Sequence, residues 1–181
     1  MAIAVLVGSL RKDSITRKIA RALEPFMPAL QFDHVEIGNL PLYNQDLDDA
    51  TPPAEWTAFR ERMRAATGYL FVTPEYNRTI PGALKNALDV GSRPGGKSSF
   101  AGTKPGAVVS VSPFLLGGFG ANHHLRQALV FLDVAVLQQP EMYVNKALEL
   151  LDDHGAVKDE AGKKLFAKFG AAFTGWVNRL S

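Results

Sequence analysis

Pro74-Glu75-Tyr76-Asn77 brings together a rigid ring, a carboxylate, an aromatic face and an amide in four positions. The run follows Tyr69-Leu70-Phe71-Val72-Thr73, an apolar stretch that reads as a buried strand. It precedes Pro81-Gly82 and a helical pattern. A loop of this kind suits a flat heteroaromatic ring. Backbone amides of Glu75, Tyr76 and Asn77 can donate to ring carbonyls, and Tyr76 can pack on the ring edge or face. Asn77 can brace the loop or reach the ligand, and Pro74 restricts the strand exit. The plainer alternative is a turn with a half-buried tyrosine and a solvated glutamate.

A second chemical loop follows the first apolar run, Ala2 to Val7. Gly8-Ser9-Leu10-Arg11 leads to Ser14, Ile15 and Thr16, where a helix begins. Free backbone amides and the helix dipole favour an anion at such a place. Ser9, Ser14 and Thr16 add hydroxyls, and Arg11 can donate in a fork. Three glycines would mark a pyrophosphate loop; hydroxyls and a guanidinium suit a terminal phosphate monoester. The alternative is that Ser14 merely caps the helix and Arg11 is a surface charge. A third loop, Ser112 to Gly120, mixes Phe114, Leu115 and Phe119 with Gly117, Gly118 and Gly120. It can let backbone approach a ring near Ser112 and Gly117, or it is only a flexible connection. A phosphate loop and a ring loop at two strand ends together point to flavin mononucleotide.

These loops need elements to hold them. Strand runs near 2–7, 32–37, 69–73, 107–111 and 134–137 alternate with helical patterns near 14–26, 54–65, 82–90, 122–132 and 160–179. In the last of these Leu165, Phe169, Phe173 and Trp176 share a core face. Gly38 to Pro53 and Gly91 to Lys104 read as loops. Alternation of this kind gives a parallel sheet covered on both faces. The expected fold is a flavodoxin-like α/β three-layer sandwich, with a five-stranded parallel sheet of order 2-1-3-4-5. All 181 residues form one domain on this reading.

Composition closes off other functions. Twenty Lys and Arg against 18 Asp and Glu leave +2, too balanced for a nucleic-acid or membrane surface. The absence of cysteine excludes disulfides, thiolate-held clusters, Cys-ligated zinc and a Cys nucleophile. His123 and His124 are adjacent, which is the wrong spacing for a metal pair on a helix; a surface or interface role fits better. Asp46, Asp48 and Asp49 lack the calcium-loop spacing and read as a solvated loop. No metal site and no G-x-S-x-G elbow is expected. The start lacks a basic leader and no apolar run is long enough to span a membrane, so a cytoplasmic protein is expected.

Gly8-Ser9-Leu10-Arg11 with Ser14, Pro74-Glu75-Tyr76-Asn77, and Pro81-Gly82-Ala83-Leu84-Lys85-Asn86-Ala87-Leu88-Asp89 resemble the NADPH-dependent FMN reductase family. Within it the chain is most similar to bacterial NAD(P)H:quinone reductases, also described as chromate or azo-dye reductases. The resemblance implies that Ser9, Arg11, Ser14, Ile15 and Thr16 hold the FMN phosphate and ribityl chain, and that Pro74 to Asn77 hold the isoalloxazine. It implies NADPH or NADH as hydride donor, a quinone-like small-molecule acceptor at the same place, and ping-pong kinetics. No protein acid or base is expected to be catalytic. A homodimer or homotetramer is implied as well. The chain departs from the pattern at Thr16, where Asn is frequent, and at Val90, where an aromatic is frequent. Two other classes stay open: a flavodoxin-type electron carrier, which is usually strongly acidic, and a phosphate-binding regulator without colour.

Overall fold

The computed structural model describes residues 2–94, 97–100 and 102–180. Its elements run β1 (Ile3–Val7), α1 (Ile15–Leu23) with a 3-10 turn at Glu24–Phe26, β2 (Phe32–Val35), α2 (Gln45–Ala50), α3 (Ala54–Ala65) and β3 (Gly68–Pro74). There follow α4 (Gly82–Ser92), β4 (Pro105–Val111), α5 (Phe119–Phe131), β5 (Ala135–Val136), β6 (Met142–Val144), α6 (Ala147–Leu150) and α7 (Glu160–Leu180). The sheet order is β2-β1-β3-β4-β5, all parallel, in a flavodoxin-like three-layer sandwich.

Strand alternation builds two cores. Ile3, Val5, Leu70, Val72, Ala107 and Val109 face one side, where α1 and α7 pack. Ala4, Leu6, Tyr69, Phe71 and Val108 face the other, where α3, α4 and α5 pack. Successive side chains of a strand point to opposite faces, so each apolar strand feeds both cores. On α7 the buried face is Phe166, Phe169, Phe173 and Val177. Leu165, expected inside, is partly exposed because Phe166 takes the core position one residue on. Trp176 is half-buried, and its indole N–H donates to the Ala135 carbonyl at 2.6 Å.

The fifth strand position differs from the expectation of one strand at 134–137. β5 pairs only with Pro105 and Gly106, and β6 takes over along Val109 to Val111. Pro140 lies between the two short strands and has no N–H to give the ladder. The expected loop over 38–53 contains α2, with Asn44 accepting from the Asp46 amide at 3.0 Å as its cap. Asp48 is not solvated: its side chain is 2% exposed and meets Arg60 in a two-pronged pair, both arms 2.8 Å. The expected loop from Gly91 to Lys104 starts two residues later, since α4 continues to Ser92. Its residues 95, 96 and 101 lie outside the described residues. Among the described residues no helix is long and apolar enough to cross a membrane.

Candidate cofactor site

The carboxyl ends of β1, β3 and β4 deliver three loops to one edge of the sheet, where open α/β sheets bind ligands. A cavity of about 720 Å³ opens between them, a size typical of small-molecule sites.

Gly8 ties the first loop down. Its amide donates to the Val72 carbonyl at 2.9 Å. A β-carbon there would sit 2.9 Å from Thr73 Oγ1 and 3.2 Å from Pro74 Cδ, so only glycine lets this loop lie against the end of β3. Ser14 caps α1, accepting from the Arg17 amide at 3.2 Å. Ser9, Arg11, Ser14, Ile15 and Thr16 all line the cavity. Ser9 and Thr16 are 3% and 1% exposed as residues, and neither hydroxyl is tied up in a hydrogen bond among the described residues. Two hydroxyls without partners that stay accessible from the cavity, beside the open amides of a helix start and an exposed guanidinium, form a donor set that fits a phosphate monoester.

The second loop brings Pro74, Glu75, Tyr76 and Asn77 to the same cavity. It closes as a hairpin: the Tyr76 amide donates to the Thr79 carbonyl at 2.9 Å and the Thr79 amide returns to Tyr76 at 3.0 Å. Asn77 and Arg78 between them have φ of 51° and 64°, the signature of a type I′ turn. The Tyr76 amide is therefore spent within the turn. This corrects its expected role as a donor to a ring and leaves the Glu75 and Asn77 amides for that task. The Glu75 side chain is not solvated. One carboxylate oxygen accepts from the Ala121 amide at 3.0 Å in the first turn of α5, and the other from Arg78 at 3.3 Å. A carboxylate at a helix start satisfies an orphan amide and meets the positive end of the dipole. Gly120 makes the approach possible, because a β-carbon there would lie 2.6 Å from the Arg78 carbonyl oxygen.

The third loop brings Ser112 and Phe114 to Leu116 to the cavity. Phe114 and Leu115 are 76% and 72% exposed, so the wall they make is apolar and open. Gly117 does not line the cavity; Gly118 does. Both take left-handed backbone, with φ of 59° and 77°, and Gly117 is pressed against Tyr143. The Gly117 carbonyl accepts from Ser110 Oγ at 2.7 Å, and that hydroxyl accepts from Asn122 at 3.2 Å. Arg126 in turn donates to Asn122 at 2.8 Å. Asn122, where the helical pattern was expected to begin, is instead fully buried one turn inside α5, where it anchors the third loop.

The sequence singles out Glu75 for its amide but not for its carboxylate, and it leaves Gly118 unmarked as a site residue. Gly118 had a signal, being the second of two adjacent glycines. The carboxylate of Glu75 had none, because its partner lies 46 positions away. The adjacent histidines point to different partners: His123 meets the Tyr143 hydroxyl at 3.0 Å, and His124 meets Thr79 Oγ1 at 2.8 Å. Burial and the neighbouring Glu141 push the Tyr143 phenol up to about 12. Among the described residues no group of three or more acidic or histidine side chains is placed to hold a metal.

Residues 1–149 match the model of the NADPH-dependent FMN reductase family. A quinone reductase of Pseudomonas putida is 54% identical over 176 residues, covering 97% of this chain and 94% of that protein. A 2-hydroxy-1,4-benzoquinone reductase of a Burkholderia species is 44% identical, covering 97% and 95%. Among solved structures, a flavoenzyme NAD(P)H:(acceptor) oxidoreductase from Paracoccus denitrificans superposes with a TM-score of 0.93. It is 36% identical and covers 99% of this chain and 98% of that one.

Proposed function

The chain belongs to the NADPH-dependent FMN reductase family and is an FMN-binding NAD(P)H oxidoreductase acting on quinone-type acceptors; on that premise we propose which residues do the work. The observation that carries the assignment of residues is the convergence of three loops on one cavity, with a phosphate-type donor set at one end and an apolar wall at the other.

FMN, when bound, supplies the two-electron chemistry, accepting hydride from NAD(P)H and passing electrons on to the quinone. The chain's own residues bind, orient and shield. The Ser9, Ser14 and Thr16 hydroxyls, the first amides of α1 and the Arg11 guanidinium hold the phosphate, with Ile15 beside the ribityl chain. Pro74 and the Glu75 and Asn77 amides face the ring's carbonyl end, where donors favour added electron density. Tyr76 packs on the ring, and the type I′ turn fixes its position. Ser112 supports the third loop, and Gly117 bends it so that Gly118 can approach the ring. Phe114, Leu115 and Leu116 keep water from the face where nicotinamide and acceptor take turns. We assign no residue as a proton donor.

Residues 1–181 act as one FMN-binding domain, in the cytoplasm where reduced nicotinamide nucleotides are held. The working form is a homodimer or homotetramer. Val130 and Phe131, 75% and 84% exposed at the end of α5, support this, since large apolar side chains side by side on a surface mark contact sites. Steady-state kinetics with both substrates varied tests the shared site. Parallel double-reciprocal lines for NAD(P)H and benzoquinone are expected. Intersecting lines would require both substrates to bind at once and would refute it.

A further inference from the structure

A second cavity, about 860 Å³, lies between α1 and the segment from Leu148 to Val157. Ile15 and Leu148 belong to the walls of both cavities, so the second continues the first past a shared partition. Its chemistry differs from the cofactor site. Lys18 and Arg21, one turn apart on α1, both face it. Neither has a carboxylate partner among the described residues. Pro25, Phe26 and Leu151 give it apolar lining, and His154 borders it as well.

Three further charges face the same space. Lys163 is already paired with Glu160 at 2.8 Å. Asp152 is turned to its own loop, accepting from the His154 and Ala156 amides at 2.9 Å each. Asp153 opposes the cations from an exposed position. Lys18 and Arg21 are thus the two positive charges left without a partner.

A nicotinamide dinucleotide has two ends. One must reach the ring site; the other, an adenosine, needs an apolar surface for its base. NADPH differs from NADH only in the adenosine 2′-phosphate. Resting on the oxidoreductase reading above, the geometry points to the second cavity as the seat of the adenosine end, with Lys18 and Arg21 receiving the 2′-phosphate. The chain then prefers NADPH, and these two residues set the preference from outside the cofactor site.

The test uses the FMN-loaded protein with excess FMN, so that the first phosphate site stays filled. Calorimetric titration compares adenosine 2′,5′-bisphosphate with 5′-AMP. The bisphosphate should bind about tenfold tighter or more, the scale of one or two charge-assisted contacts. In the double variant Lys18→Ala/Arg21→Ala that advantage should vanish while the affinities for 5′-AMP and FMN hold. The KM for NADPH should rise about tenfold, with the KM for NADH and kcat unchanged. Equal binding of the two nucleotides to the unmodified protein, or an advantage that survives in the double variant, overturns the proposal. Should neither dinucleotide reduce the flavin, the oxidoreductase reading fails on its own, and the bisphosphate titration still decides about the cavity.

Discussion

Arg11 and Glu75 show two ways a charged residue serves one cavity. Arg11 is exposed and makes no hydrogen bond or ion pair with another described side chain, so its guanidinium is free for a ligand. Arg11→Ala should weaken FMN binding by roughly tenfold or more, on the scale of a hydrogen bond to a charged group, and leave the melting temperature nearly unchanged. A dissociation constant equal to that of the unmodified protein would defeat the phosphate-loop assignment. Glu75 lies in the ring loop, but its carboxylate is taken by the first turn of α5. Glu75→Ala should cost about 1 kcal/mol of stability, as loss of a helix cap does. It should weaken FMN binding as well, through a loosened turn. Thermal unfolding beside fluorescence titration separates the two effects. The residue types at Ser9, Arg11, Ser14 and Thr16 made them legible as candidates for a phosphate loop, and the structure gathers them at one cavity, where Ser14 also caps the helix. Glu75 did not, because a carboxylate's partner across 46 residues leaves no local trace.

Elements hold these residues in register, and two contacts between elements are the vulnerable ones. Gly120 lets the start of α5 touch the turn after β3, and an added methyl would meet the Arg78 carbonyl oxygen at 2.6 Å. Gly120→Ala should therefore destabilise the protein by about 1–3 kcal/mol, the usual cost of overpacking, and lower FMN affinity with it. Differential scanning calorimetry and titration check both; a neutral variant would mean the contact relaxes freely. Away from the site, Asp48 on α2 holds Arg60 on α3, whose Nε–H also donates to the Val90 carbonyl at 2.9 Å. Asp48→Asn strands a buried guanidinium and should cost about 3 kcal/mol in urea unfolding. The Arg60 guanidinium also holds the Asp48 carboxyl below the usual carboxylate range. A depressed folded pKa contributes stability that is complete above the unfolded value near 4 and fades as pH falls toward the folded one. The acid limb of the stability curve should therefore flatten in Asp48→Asn. The long strands and helices were legible from apolar periodicity. α2 was not: its Asn and Asp content also marks loops, and burial of Asp48 makes sense only with Arg60 beside it. The early start of α5 was hidden in the same way, since Phe119 and Gly120 continue a glycine-rich run and the Glu75 carboxylate that meets this first turn comes from far along the chain.

At the scale of the molecule, sheet order follows from alternation and from the chemistry of the first loop, so it could be read before the structure. The split of the edge strand into β5 and β6 could not, because two or three residues carry no periodicity. Exposed Val130 and Phe131 are the observation behind the proposed assembly. Sedimentation equilibrium should give two or four times the chain mass of 19.7 kDa; a single-chain mass at micromolar concentration would contradict the proposed assembly. The flow of electrons through one FMN-filled cavity is the central claim, and anaerobic rapid mixing tests it most directly. The FMN-loaded protein is mixed with NADPH and, separately, with NADH while the visible flavin absorption is followed. Rapid bleaching with at least one donor, then full return of the colour when benzoquinone is added, is the predicted result. Flavin that stays oxidised with both donors would contradict the account and leave a carrier rather than a reductase.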